Sequence, residues 1–500
     1  MSFIPGYLPD YLPVIAIVVP IVSIFIRPLV ESKKHYLVAC VAHFISLVCV
    51  ASMFPYVVKD GRILKVLFDT GLGPNLYFRA DSVGFYFAFV SSFLWFLVSV
   101  FSIEYMKKEH EEKRFNIFSS LSFAGMLGVV FTGNLFSLYL FFELLTVASS
   151  VLVFHEQSGE AIRTGLKYLF IGVFGGLLLL FAIVATYAVA GHGDITGLGI
   201  KELQSSPFLI FIFWAYIIGF GIKAGLWPVH IWLPSAHPIA PSPASALLSG
   251  VMIKAGAYGI FRTVYNIFGS EFLSQNHVFM INCVLILGLV GIFYGSAVAI
   301  TQKEIKKMLA YSSISQIGYI IMGVTLLTKN GLAGALIHVF NHALIKGCLF
   351  LCAGAYIYQT GKRQLSDLKG IGKIMPKTTL MFTFAALSII GLPPFNGFVS
   401  KWFLAFGALD AAKGGVYGSS TGIIALGVLL LSSLMNLVYY APIVIGAWFG
   451  DAGETSVKKD PNLIMLIPMF ILGGLILLLG IMPILPVSIC QKIAEGFFPG

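Results

Sequence analysis

An all-α membrane fold with about 14 transmembrane helices is what this sequence predicts, and three observations predict it. The first is composition: 58% of the 500 residues are hydrophobic and only 11% charged, with a mean hydropathy of +0.91. A water-soluble chain carries about a quarter charged residues. The second is repetition, because apolar runs long enough to cross a ~30 Å hydrocarbon core recur from end to end. The third is punctuation: two of those runs are interrupted by clustered glycine and proline.

Taken in order, the expected spans are 11–30, 36–58, 82–105, 117–133, 135–154, 164–190, 207–226, 243–268, 277–300, 308–328, 332–358, 377–410 (broken), 421–449 and 462–485. The opening "MSFIPGYLPDYLPVIAIVVP" has no basic segment and no small-residue cleavage site, so it reads as a retained first span. Between spans two and three, "GRILKVLFDTGLGPNLYFRAD" alternates apolar residues around Gly71–Pro74, which predicts a short extracytoplasmic β-hairpin. Most of the 32 Lys and Arg fall in connections from an odd to an even span, such as "KKEHEEKR", "QKEIKK" and "KRQLSDLKGIGKIMPK". Positive charge collects on the cytoplasmic side, so both termini are expected to face outward. The net charge of +10 is then topology, and nucleic acid is not an expected partner.

The interruptions fall in "GFGIKAGLWPVHIWLPSAHPIAPSP", with Pro228 after Lys223, and in "GLPPFNGFVSKWF", with Pro393 and Pro394 before Lys401. Proline lacks a backbone donor and clashes with the preceding turn, so the seventh and twelfth helices should break there. Paired breaks suggest an inverted repeat with a site near the break. That divides the chain into an N-terminal part with spans one to three (1–116), a first five-helix repeat of spans four to eight (117–268), a second of spans nine to thirteen (269–449), and a C-terminal span (450–500).

Five charges then stand where hydrocarbon is expected: Glu143 in "LYLFFELLTVASS", and Lys223, Lys254, Lys346 and Lys401. Each costs ~2.5–3.5 kcal/mol at mid-bilayer even on a lenient scale. In "HVFNHALIKGCLF", His338, His342 and Lys346 recur at spacings of four, which on a helix makes one polar stripe about 12 Å long. Any one of these residues is explained as a buried ion pair, a satisfied interior histidine or, for Lys254, a side chain snorkelling to the surface. Seven titratable groups on several spans exceed what packing requires. Moving a carboxylate toward or away from a desolvated lysine changes its proton affinity, ~1.4 kcal/mol per pKa unit. A neutral histidine receives on one nitrogen and releases from the other. The pattern suits proton movement in the membrane plane.

Electron transfer is not expected in this chain. The six cysteines form no CxxC pair, and no GxGxxG turn, P-loop or haem motif is present. Cys348 and Cys352 share a helix face without a further ligand, so no cofactor and no metal are assigned.

The stretches "YFRADSVG", "FFELLTVAS", "GIKAGLWPVHIWLPSAHPIAPSPASALLSGVMIKAGAYG", "KMLAYSSISQIGY", "HVFNHALIKGCLFLCAG" and "GLPPFNGFVSKW" resemble the antiporter-like subunits of respiratory complex I and of Mrp-type cation/proton antiporters. The likeness covers roughly residues 65–450. It implies that Glu143 and Lys223 are the family's paired glutamate and lysine, Lys254 the central lysine, His338, His342 and Lys346 the bridging residues, and Lys401 the terminal lysine of the broken twelfth helix. Lysine at 401, and the lack of an Arg/Asp pair in the sixth span, favour a D-type Mrp module or its counterpart in archaeal membrane-bound hydrogenases. The resemblance further implies a subunit of a multisubunit complex in a prokaryotic plasma membrane, passing H⁺. A hard cation wants several oxygen ligands and the midplane offers one carboxylate among lysines, so Na⁺ is expected to cross at partner subunits. The competing expectation is a structural membrane anchor of a redox complex with frozen ion pairs.

Overall fold

A computed structural model describes residues 8–30, 35–71, 74–414, 416, 418–451 and 459–498. Lys33, Lys34 and the hairpin tip at residues 72–73 lie outside them. The protein is mostly helical and of membrane type: 11 helices among the described residues are long and apolar enough to span a bilayer. The helices are α1 (Leu12–Ile26), α2 (His35–Ser52), α3 (Ser82–Tyr105), α4 (Glu112–Val130), α5 (Leu135–Val153), α6 (Gly159–Ala190), α7 (Leu209–Ala224) and α8 (Leu233–Ile239). There follow α9 (Ser242–Ile267), α10 (Val278–Ile300), α11 (Ile305–Thr325), α12 (Lys329–Thr360), α13 (Pro376–Ile390), α14 (Asn396–Gly414), α15 (Ser419–Phe449), α16 (Leu463–Ile481) and α17 (Ile484–Glu495). Short single-turn helices are left unlabelled.

Local chemistry sets the helix ends. Asn134, Ser158, Thr328 and Asn462 each accept a hydrogen bond from a backbone N–H in the first turn of α5, α6, α12 and α16, which satisfies one of the donors a helix start leaves open. Antiparallel strands β1 (Leu64–Phe68) and β2 (Leu76–Ala80) pair Leu64 with Ala80 and Phe68 with Leu76.

The chain divides into two compact units. The first holds Met1–Ser99, Glu111–Ala224 and Val251–Leu273. It contains the hairpin and packs around Trp95, which stacks on Phe123 at 5.1 Å and donates to Ser119 Oγ at 3.1 Å. The second holds Val100–His110, Gly225–Gly250 and Ser274–Gly500. One of its cores joins Leu285, Ile292, Tyr319, Met322, Leu404 and Leu429.

Burial separates helices with an exposed apolar face from helices enclosed by the rest of the chain. The apolar stretches of α6 and α15 are 33% and 28% buried, whereas those of α9 and α12 are 100% and 94% buried. The helices carrying Lys254 and Lys346 are therefore interior, and those lysines have no route to a head group. Lys254 is 1% exposed, so the snorkelling explanation fails.

Candidate functional site: buried lysines at interrupted helices

In the first unit the site is built from α5, α6, α7 and α9. α7 stops at Ala224 because Gly225 takes a φ of +75°, a left-handed turn that glycine adopts at little cost. Pro228 lies in the segment before α8. Lys223 thus occupies the last turn of α7, where the helix dipole favours a cation. Its amine is buried and donates to Tyr168 OH at 2.7 Å and to Thr146 Oγ1 and Ser149 Oγ at 3.3 Å each. Ser149 and Tyr168 also bond each other at 2.6 Å, and Thr146 donates to the Phe142 carbonyl at 2.9 Å.

Glu143 sits one turn before Thr146 on α5. Lys223 acts on it through its charge, yet no ion pair joins the two among the described residues. Glu143 Oε1 is buried with no hydrogen-bond partner among the described residues. Gly176 on α6 makes room for that carboxylate, since a Cβ there would overlap Oε1. Among the described residues no ion pair forms: one member is caged by hydroxyls, and the other keeps one buried oxygen that no donor there reaches. On α9 a widened π turn, Leu248–Met252, ends just before Lys254, an irregularity that concentrates at functional positions. Gly256 then lets α9 touch the backbone of α7 at Ala224 and Phe220.

In the second unit, α13 ends at Gly391 with a φ of +97° and α14 resumes at Asn396, with Pro393 and Pro394 in the gap. Lys401 reaches back across that gap. Its amine donates to the carbonyls of Ile389 and Ile390 at 2.9 and 2.8 Å and to Ser433 Oγ at 3.0 Å. These are last-turn carbonyls that a helix end leaves open, so the break supplies the acceptors the lysine needs. Two asparagines stitch the gap to α12: Asn396 Nδ2 donates to Asn341 Oδ1 at 3.0 Å, and Asn341 Nδ2 donates to the Asn396 carbonyl at 2.7 Å.

The stripe on α12 is buried along its length, with His338, His342 and Lys346 all at 2% exposure or less. The two imidazoles lie nearly parallel with centroids 5.8 Å apart. His338 Nδ1 and Ser400 Oγ share a 2.9 Å hydrogen bond, and Ser400 Oγ also lies 3.1 Å from the Gly397 carbonyl, which can take its hydrogen. Lys346 donates to the Leu309 carbonyl at 2.9 Å and to Tyr440 OH at 3.4 Å.

Several neighbours were not singled out in the sequence. Tyr440 bonds Ser312 at 3.1 Å, Ser312 bonds Tyr439 at 3.0 Å, and Tyr439 bonds Asn436 Oδ1 at 2.5 Å. Asn436 Nδ2 then donates at 3.3 Å to the Ile389 carbonyl that also accepts from Lys401. A polar chain therefore links Lys346 to Lys401 within this unit. Lys306, read from sequence among the topological charges of "QKEIKK", is 4% exposed and donates to the Ala240 and Pro238 carbonyls at 2.6 and 3.4 Å. Those carbonyls close α8, so the pattern at Lys401 recurs. His237 is fully buried against Phe350 at 4.7 Å, and neither ring nitrogen has a hydrogen-bond partner among the described residues. In the first unit Arg262 donates to Asp81 at 2.7 and 2.8 Å, Tyr258 OH at 2.9 Å and Asn266 Oδ1 at 2.9 Å. Burial pushes the Asp81 carboxyl up, but Arg262 and Arg79 outweigh it and hold the group below the usual carboxylate range.

Among the described residues no group of three or more His, Cys, Asp or Glu is arranged to hold a metal ion. The polar groups described here are amines, imidazoles, hydroxyls, the Arg262 guanidinium and the carboxylates of Glu143 and Asp81.

Such a molecule, helical, membrane-type and with cations buried at interrupted helices, defines an antiporter-like membrane protein. Residues 132–427 match the NADH:quinone oxidoreductase/Mrp antiporter transmembrane family, and the chain belongs to that family. It is 35% identical over 389 residues to the N-type subunit of NADH-quinone oxidoreductase from Desulforudis audaxviator, covering 74% of each chain. It is 32% identical over 383 residues to the D-type subunit of the Na(+)/H(+) antiporter from Alkalihalophilus pseudofirmus, covering 76% of this chain and 75% of the relative. Its fold matches a chain of the Mrp complex from Dietzia sp. DQ12-45-1b with a TM-score of 0.86 at 22% identity, over 99% of this chain and 98% of that one. The family is one of ion-transport subunits that work beside other membrane subunits in multisubunit complexes.

Proposed function

We propose that this chain translocates protons as the antiporter module of an energy-converting membrane complex, of Mrp type or coupled to a membrane-bound hydrogenase or related oxidoreductase. The observation that carries the reading is the Lys223 cage. Three hydroxyls hold the amine, and Glu143 waits nearby with a buried oxygen that no donor among the described residues fills. A proton arriving at Glu143 or leaving Lys223 changes the attraction between them, and the hydroxyls reorient to follow.

In this reading Glu143 and Lys223 are a switchable pair and Lys254 a relay lysine. His338, His342 and Lys346 carry protons along α12, and Lys401 gates the broken α13–α14 end. Pro228, Pro393 and Pro394 keep the interruptions open. The finer architecture belongs to the proposal too: 14 spans, inverted repeats of spans 4–8 and 9–13 divided near residues 116, 268 and 449, and both termini outward in a prokaryotic plasma membrane. Sodium crosses at partner subunits, because a hard cation wants several oxygen ligands and Glu143 is the one carboxylate placed deep in a span. Redox cofactors reside on other chains.

Glu143→Gln keeps the shape of the side chain and deletes its charge. In vesicles holding the assembled complex, that variant should lose ΔpH-driven or redox-driven proton transport with complex yield unchanged. Transport at the native rate would refute the proposal.

A further inference from the structure

We infer that the pocket between α10, α11 and α15 is an aqueous port through which the second unit exchanges protons with the lysine-rich face of the chain. Such a port presupposes the proton-moving role proposed above and adds the place where that traffic meets water. The pocket encloses about 290 Å³, room for several water molecules at ~30 Å³ each. Its rim holds Gln302, Ser366 and Lys369, from the connections "QKEIKK" and "KRQLSDLKGIGKIMPK". The positive-inside rule expects that face in the cytoplasm. Three backbone hydrogen bonds tie the rim together: Ile305 N–H to the Arg363 carbonyl at 3.1 Å, Leu365 N–H to the Lys303 carbonyl at 2.8 Å, and Gly370 N–H to the Gly446 carbonyl at 2.9 Å. The opening is built into the fold.

From the rim the pocket runs inward along α15. Between Gly446 and Val438, both lining it, the helix rises about 12 Å. Pro442 lies between them, inside the helix and also in the wall. It has no N–H to give the Val438 carbonyl four residues earlier. In a membrane helix a carbonyl freed in this way takes a hydrogen bond from a side chain or from water, and Val438 has the pocket beside it. At the floor stand Met308, fully buried, and Tyr439, 6% exposed. Each is the chain neighbour of a group that holds the Lys346 amine: Leu309, whose carbonyl accepts at 2.9 Å, and Tyr440, whose hydroxyl accepts at 3.4 Å. Tyr439 OH bonds Ser312 at 3.0 Å and Asn436 Oδ1 at 2.5 Å. Tyr439 thus belongs both to the pocket wall and to the polar chain between Lys346 and Lys401, so one side-chain rotation connects or isolates them.

The test uses the assembled complex in vesicles. Ile443→Cys puts a thiol in the pocket wall, and Ile445→Cys puts one on the same helix outside it, at a position 57% exposed. A membrane-impermeant methanethiosulfonate reagent bearing a sulfonate should label the first at least tenfold faster than the second, because a thiol ionises only where water reaches it. Labelling should then cut proton flux at least tenfold in the Ile443→Cys complex and leave native flux unchanged. Ser366→Cys, exposed at the rim, supplies a second thiol whose label covers the mouth if the first variant fails to assemble. Equal labelling of Ile443→Cys and Ile445→Cys would overturn the port, as would full labelling without loss of flux. Glu143→Gln run beside them separates the two claims. Flux that it abolishes but the label spares refutes the port alone, whereas flux that survives Glu143→Gln refutes the proton-moving role and the port with it.

Discussion

Lys223 and Lys401 both stand at the end of an interrupted helix, yet their amines are held by different chemistry. Lys223 is surrounded by the hydroxyls of Thr146, Ser149 and Tyr168. Lys401 is held by the carbonyls of Ile389 and Ile390 and one hydroxyl, Ser433. A hydroxyl both donates and accepts, whereas a carbonyl only accepts. When Lys223 gives up a proton its partners can turn and donate to the nitrogen. When Lys401 does so, its two remaining N–H groups can still serve both carbonyls, but its lone pair finds only Ser433, whose hydrogen is already given to the Leu429 carbonyl. The first position suits rapid exchange with a neighbour, and the second suits a gate that responds to its surroundings as a unit.

That contrast can be broken at several points, beginning with the largest effect. The Arg262–Asp81 pair supplies a fixed reference, because every guanidinium nitrogen there is engaged. Asp81→Asn should cost the solubilised chain on the order of 3 kcal/mol, since it strands a buried cation. The native pair should also show its sign with pH. The carboxyl of Asp81 is held below its ordinary range, so its stabilisation is present above that range and drains away as pH falls through the lowered value. Urea unfolding of native and Asp81→Asn chains should converge under acid, and parallel curves at all pH values would contradict this.

At the lysines the expected order is Lys401 above Lys223. Lys401→Met keeps volume but leaves the Ile390 carbonyl open and the Ile389 carbonyl with only its long bond from Asn436, at a cost of roughly 2–3 kcal/mol. Lys223→Met leaves hydroxyls that can pair with one another, as Ser149 and Tyr168 already do, and should cost only about 1 kcal/mol. Thermal unfolding would measure both, and equal losses would erase the distinction. Between those two lysine variants falls Gly391→Ala. It places a Cβ 2.8 Å from Lys401 Cδ at a φ of +97°, and should destabilise by about 1–3 kcal/mol. The smallest stability effect belongs to Tyr168→Phe, about 0.5–1.5 kcal/mol. It should nevertheless slow transport more than Tyr440→Phe does, because Tyr168 holds its lysine at 2.7 Å and Tyr440 holds Lys346 at 3.4 Å.

The same chemistry explains what the sequence reveals. Charges in apolar runs stand out, which is why Glu143 and the lysines at 223, 254, 346 and 401 were legible, and why the four-residue spacing of His338, His342 and Lys346 announced a stripe. The glycine and proline clusters likewise announced the ends of α7 and α13. Partners without charge leave no such mark. The carbonyls of Ile389 and Ile390 belong to every residue type, and Tyr439, Tyr440 and Ser312 resemble ordinary span residues until the fold brings them together from more than a hundred positions apart. Lys306 was misread because a lysine at a helix start usually marks a membrane surface. Its burial depends on carbonyls some sixty-six residues earlier.

The central claim is that these buried groups move protons and do not merely hold helices together. The most direct measurement is proton flux and complex yield determined in the same vesicles for Lys223→Ala. The account predicts at least a tenfold fall in flux with yield near native. Native flux, or a loss of yield that accounts for all of the lost flux, would contradict it.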